Sequence, residues 1–152
     1  MWIKDRCCNG GLFFTATVAG TGRELYVTDG TTAGTNLVRD IDNGTNSSSP
    51  MNLTCAGAGV FFSASVSGST ELYFSDGTAS GTGIYCDLTR GASSSSPSQF
   101  AVCNGQLFFV ADDGLLGSEL YRFTDWTGTV EHVGEGCGSN KAVLDATNPV
   151  IN

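Results

Sequence analysis

The sequence predicts an all-β protein of three tandem, four-stranded antiparallel blades of about 47 residues, propeller-like or stacked as an open array. Three observations carry this. The triplet Glu-Leu-Tyr recurs at Glu24, Glu71 and Glu119, and Pro50 is echoed by Pro97, so the chain repeats with a period near 47. The copies are rich in Phe, Val, Thr, Tyr and Gly instead of the Ala, Leu, Glu and Lys of a helical repeat, and branched or aromatic side chains suit a pleated surface. Apolar residues also alternate on both faces. Leu12, Phe14, Ala16 and Val18 point one way, matched by Val60, Phe62, Ala64 and Val66 and by Leu107, Phe109 and Ala111, while Phe13, Phe61 and Phe108 occupy the other side. A sheet apolar on both sides is expected to lie between two neighbours.

In chain order, a leading strand over 1–8 precedes a first repeat over 12–58, a second over 59–105 and a degenerate third over 106–152, all within one domain spanning 1–152. Strands are expected in the first copy over 12–18, 24–28, 36–41 and 51–56, joined by turns of Gly, Asp and Ser. Trp2 and Ile3 align with Leu37 and Val38, so the chain opens on a third-strand segment without a blade of its own. At the other end Pro149, Val150 and Ile151 resemble the stretches that lead into a strand at Pro50 and Pro97, which predicts a pairing strand. Propellers need about four blades to close, so three leave two faces open. Trp2, Ile3, Val150 and Ile151 are therefore the expected assembly residues. The termini complete a blade within one subunit, or each completes a blade of the next subunit head to tail, unless the chain is a piece of a longer array.

The turn DGTTAGT over 29–35 recurs as DGTASGT over 76–82 and, contracted, as DWTGT over 125–129. Gly at positive φ, with Asp and Thr bonding the local backbone, explains it as turn chemistry. The alternative is calcium bound by Asp29, Asp76 and Asp125, but one carboxylate per turn is far short of six to eight oxygens. The longer segments ELYVTDGTTAGTNLVRDI and ELYFSDGTASGTGIYCDL resemble the ELWxTDGTxxGTxxVxDI repeat found in tandem in large secreted and surface proteins. The resemblance covers about 12–133 and implies propeller-like β modules in an extracellular setting; it transfers no catalytic motif. The third copy departs from the pattern, with Trp126 in place of the turn glycine and two residues missing before Gly128.

Lys+Arg 7 against Asp+Glu 15 leaves a formal net charge of -8 without a basic cluster, so neither phosphates nor anionic headgroups find neutralising partners. No apolar run approaches the roughly 20 residues of a spanning helix, and no apolar signal segment opens the chain, so a secreted form is a mature or excised one. Cys7, Cys8, Cys55, Cys86, Cys103 and Cys137 lack the C-x-x-C spacing of a zinc site and read as disulfide cysteines, with buried free thiols as the bland alternative. Fifteen pairings of six cysteines exist. The neighbours Cys7 and Cys8 are expected to seek different partners. Cys8, Cys55 and Cys103 precede the first strands, Cys86 and Cys137 lie at or beyond the third, and pairing is expected between these two classes.

Asn43, Asn46 and Asn52 open three N-x-[ST] acceptors, which carry sugar if the source is a eukaryotic secretory pathway. Ser47, Ser48 and Ser49 before Pro50, and Ser93, Ser94, Ser95 and Ser96 before Pro97, read either as O-glycosylation tracts or as plain flexible loops. An enzyme is not expected. Asp112-Asp113 reads as a hairpin tip, and the single histidine, His132, aligns with the strand residues Val38 and Tyr85. The function expected is a secreted, disulfide-stapled, glycosylated structural module, its partners further copies of itself and covalent glycans, assembling head to tail into a fibre, sheath or surface layer without nucleic acid, membrane insertion or a cofactor other than the calcium considered above. The alternative is a carbohydrate-binding or adhesion module with Tyr26, Tyr73 and Tyr121 lining pockets between blades.

Overall fold

The structure, a computed structural model, describes residues 6–123 except 90, 92 and 116. Trp2, Ile3, Asp125, His132, Cys137, Val150 and Ile151 lie outside the described residues. Among the described residues every regular element is a strand and none is a helix. The first sheet comprises β1 (Arg6–Cys8), β2 (Gly11–Val18), β3 (Gly22–Thr28) and β4 (Asn36–Arg39), hydrogen-bonded in that order. The second comprises β5 (Met51–Ala56), β6 (Gly59–Val66), β7 (Ser69–Ser75) and β8 (Thr82–Cys86), again in order. The third comprises β9 (Ser98–Cys103), β10 (Gln106–Asp112) and β11 (Ser118–Phe123). Every neighbouring pair is antiparallel.

One element sits elsewhere than the sequence suggests. The strand over 51–56 does not close the first blade; β5 pairs with β6 and opens the second sheet, with Cys55 opposite Val60 and Ala56 opposite Gly59. Connection length decides this. Two residues separate β5 from β6, whereas the whole segment spanning positions 40–50 separates β4 from β5, and a two-residue link between strands makes a hairpin. The same arrangement places β1 on β2, with Cys7 opposite Leu12, and β9 on β10, with Val102 opposite Leu107. Asn9-Gly10 and Asn104-Gly105 make these hairpins with positive φ at both turn residues (50° and 82°, 49° and 72°), the geometry for which Asn-Gly is the favoured pair. Each sheet therefore starts one strand before its sequence repeat.

The three sheets stack face to face. Along β6 all residues from Gly59 to Ala64 are buried, because the second sheet is covered on both sides. Val60, Phe62, Ala64 and Tyr73 pack with Cys8, Phe13, Leu25 and Val38 of the first sheet. Phe61, Leu72 and Phe74, from the opposite side, pack with Leu107, Phe109, Ala111 and Tyr121 of the third. The doubly apolar pattern is thus satisfied by two interfaces, and the described residues form an open three-layer stack, not a closed propeller.

Candidate functional site

The feature that recurs with the chain is the joint between consecutive sheets. It begins with a carboxylate in the core. Glu24 is fully buried on β3, and its side chain accepts from the Ile41 amide at 3.1 Å, the Ser48 amide at 2.7 Å and the Ser48 hydroxyl at 2.5 Å. Glu71 repeats this on β7, accepting from the Ser69 hydroxyl at 2.8 Å, the Ser95 amide at 3.1 Å and the Ser95 hydroxyl. Burying a charge requires such donors, since an unpaired carboxylate in an apolar interior neutralises or unfolds its surroundings.

The two serines carry the connection onward. The Ser48 carbonyl accepts from the Ser65 amide of the second sheet at 2.8 Å, and the Ser95 carbonyl from the Asp112 amide of the third at 2.9 Å. Ser49 donates its amide to the Arg23 carbonyl, and Ser96 its amide to the Thr70 carbonyl, so each Ser-Pro segment is tied along the edge it leaves. These tracts are therefore neither loose loops nor uniformly open to modification. Ser48 and Ser95 have no exposed surface, and their hydroxyls are held by Glu24 and Glu71, which removes them as O-glycosylation sites in the folded chain. Ser47, Ser93 and Ser96 are exposed, and Ser49 and Ser94 half-buried. Asn43 and Asn46 are exposed; Asn52 is half-buried and donates Nδ2 to Ser63 Oγ at 3.2 Å.

The DGT turns stabilise themselves. Asp29 Oδ1 accepts from the Thr31 amide at 2.9 Å and its hydroxyl at 2.7 Å, and Asp76 Oδ1 does the same with Thr78 at 2.8 and 2.7 Å. The Thr31 hydroxyl bond, followed by that of the Thr31 amide, holds the Asp29 carboxyl below its ordinary value. A Cβ at Gly34 would stand 2.0 Å from Asp29 Oδ1, so only glycine lets the turn fold over its own carboxylate. Among the described residues no three His, Cys, Asp or Glu gather as metal ligands. Asp112 and Asp113 likewise accept from the Gly114 and Leu115 amides within their own turn.

A disulfide crosses the first interface, and its partners correct the expected pairing. Cys8 joins Cys55, two residues that both precede a first strand. Register explains why. Cys8 lies opposite Gly11 next to the hairpin turn, as Ala56 lies opposite Gly59 and Cys103 opposite Gln106. Cys7, Cys55 and Val102 are the equivalents one residue earlier, opposite Leu12, Val60 and Leu107. Alternate residues of a strand point to opposite faces. Cys8 thus faces the second sheet and Cys55 faces back to meet it. Cys86 is also disulfide-bonded. Cys7 and Cys103 are free thiols, both exposed.

The outer faces of the stack repeat the inner ones. Leu12, Phe14, Ala16 and Tyr26 are half-buried and Val18 is 46% exposed, where their equivalents Val60, Phe62, Ala64 and Tyr73 are buried. At the far side Phe108 and Val110 are half-buried and Leu120 is 37% exposed, where Phe61 and Leu72 are buried; Arg122 stands in the place of Phe74. Of the three equivalent tyrosines, Tyr73 and Tyr121 are core residues, ring-stacked on Phe62 and Phe109, and Tyr26 lies against Phe14 at 5.7 Å. The rings of Tyr73 and Tyr121 fill the space between sheets, whereas Tyr26 lies half-buried on the front face of the first sheet. Burial pushes the Tyr73 hydroxyl up to about 12, helped by the Glu71 charge and opposed by Arg39, and burial raises Tyr121 as well.

Among the described residues no helix is long and apolar enough to cross a membrane. No family model, curated protein or solved structure matches the chain.

Proposed function

We propose that this protein is a secreted structural module that assembles head to tail, the front of its first sheet (Leu12, Phe14, Ala16, Tyr26) seating on the back of the third sheet (Phe108, Val110, Leu120) of the next copy. The observation that carries the reading is that the front outer face bears the same residue types, in the same register, as the buried front of the second sheet, and the back outer face matches the buried back of the second sheet at Phe108 and Leu120, with Val110 for Ser63 and Arg122 for Phe74. Apolar surface of this kind is stabilised when removed from water, and a contact between two unlike faces adds subunits without limit unless it closes into a ring.

Other features support an extracellular setting. The Cys8–Cys55 disulfide suits an oxidising compartment. Sugars on the exposed Asn43 and Asn46 would hydrate the flank of the stack and leave both end faces bare. The resemblance to the tandem ELWxTDGTxxGTxxVxDI repeat of secreted and surface proteins points in the same direction.

Sedimentation velocity over a concentration series tests the proposal. The unaltered protein is expected to form species larger than 15.7 kDa that grow with concentration. Phe14→Glu should abolish them while preserving the far-ultraviolet signature of the sheets, and Thr32→Glu, a charge added on an exposed turn, should not. A strictly monomeric protein, or growth unaffected by Phe14→Glu, rejects the reading.

A further inference from the structure

We infer that the head-to-tail joint is covalent: Cys103 of one copy forms a disulfide with Cys7 of the next. The inference rests on the assembly reading above and adds a staple to it.

The argument is one of register. At the first internal interface the back-facing residue next to the hairpin turn, Cys8, meets the front-facing residue of the following sheet, Cys55. Their counterparts at the second interface are Ala56 and Val102, which cannot cross-link. Continued by one more step, the same rule puts the back-facing residue of the third sheet, Cys103, opposite the front-facing residue of a following first sheet, Cys7. The pair completes the pattern of the first interface, cysteine for cysteine. Both are exposed and free in the single chain, and they stand on opposite outer faces of the stack, so neither serves the other within one molecule.

The chemistry balances through thiol–disulfide exchange with a small oxidised disulfide. The thiolate of Cys103 attacks one sulfur of that disulfide and expels a small thiol. The thiolate of Cys7 of the neighbouring copy then attacks the mixed disulfide and expels the second, so two protein thiols become one cystine and one small disulfide becomes two small thiols. Docking of the faces supplies the proximity, and the bond then prevents dissociation.

The test uses the whole chain, with oxidised glutathione as the oxidant, read by denaturing electrophoresis without reductant and by peptide mapping. Before oxidation Cys7 and Cys103 should both react with a thiol reagent. After it the protein should run as a ladder of multiples of 15.7 kDa, with Cys103 linked to Cys7. Cys7→Ser and Cys103→Ser should each stay at the single-chain mass, and an equal mixture of the two should stop at the covalent dimer. Linkage of Cys7 to Cys7, of Cys103 to Cys103, or of the two within one chain overturns the inference. Assembly in the sedimentation experiment without a ladder also overturns it and leaves the assembly reading standing, whereas absence of both removes both.

Discussion

At the scale of single residues, the joint is governed by two buried carboxylates that the sequence presents as ordinary members of a Glu-Leu-Tyr triplet. Glutamate and serine are normally surface residues, so nothing in a strand pattern marks Glu24 and Ser48 as core. The available signal was their common period, since Glu24 and Ser48 recur together as Glu71 and Ser95. Replacing Glu24 by Gln leaves an amide that cannot accept from the Ile41 amide, the Ser48 amide and the Ser48 hydroxyl together, and one orphaned buried donor costs about 1 to 3 kcal/mol. Denaturant unfolding of Glu24→Gln should show a loss of that size, and an unchanged midpoint would remove the joint from the account. Tyr73 supplies a pH dependence. Its folded value is raised from 10.0 to about 12, so its contribution to stability is complete below pH 10 and is lost as pH rises from 10 to 12. An ultraviolet titration of the tyrosines should find Tyr73 ionising near the upper end of that window while Tyr73→Phe removes the step.

Elements were legible in different degrees. The alternation along β2, β6 and β10 and the strand over 51–56 could be read directly, because a period of two with apolar groups on both sides is what a covered sheet requires. The partner of β5 differs from the expectation because the two-residue hairpin, not the boundary of the sequence repeat, decides which sheet a strand joins. Asn9-Gly10 and Asn104-Gly105, hairpin signals in their own right, already tie a cysteine-bearing strand to the one that follows. The cysteine classes failed for a related reason: Cys55 is the equivalent of Cys7, not of Cys8, and a shift of one residue turns a side chain to the other face. The Cys8–Cys55 bond closes a loop 47 residues long between sheets, for which chain entropy gives about 4 kcal/mol. Joint replacement of both cysteines by Ala should lower unfolding stability by up to that amount. The hairpin over 18–22 offers a second check. A Cβ at Gly22 would stand 1.6 Å from the Asn46 carbonyl oxygen, whereas one at Gly20 meets nothing. Both glycines have positive φ, so thermal melting should show Gly22→Ala to be the more damaging of the two, the excess measuring the clash with the Ser-Pro segment.

At the scale of the whole molecule, the described residues form three sheets that make two interfaces and leave two faces, and the same side chain counts differently at each. Phe62 is buried between sheets, so Phe62→Ala should cost about 3 to 5 kcal/mol of folding stability. Phe14, its equivalent at the open face, should cost much less in the isolated chain and register instead in assembly. The all-β class and the insufficiency of three blades were readable from period and composition; the identity of the open faces was not, because it depends on which strand opens each sheet.

The most direct measurement of head-to-tail stacking is a mixing experiment by analytical ultracentrifugation with two blocked variants, Phe14→Glu at the front and Phe108→Glu at the back. Each alone should sediment as a single chain, and an equal mixture should form one dimer and nothing larger, since one free back meets one free front. Association in either single-variant solution, growth beyond the dimer in the mixture, or no association in the mixture, would contradict the account.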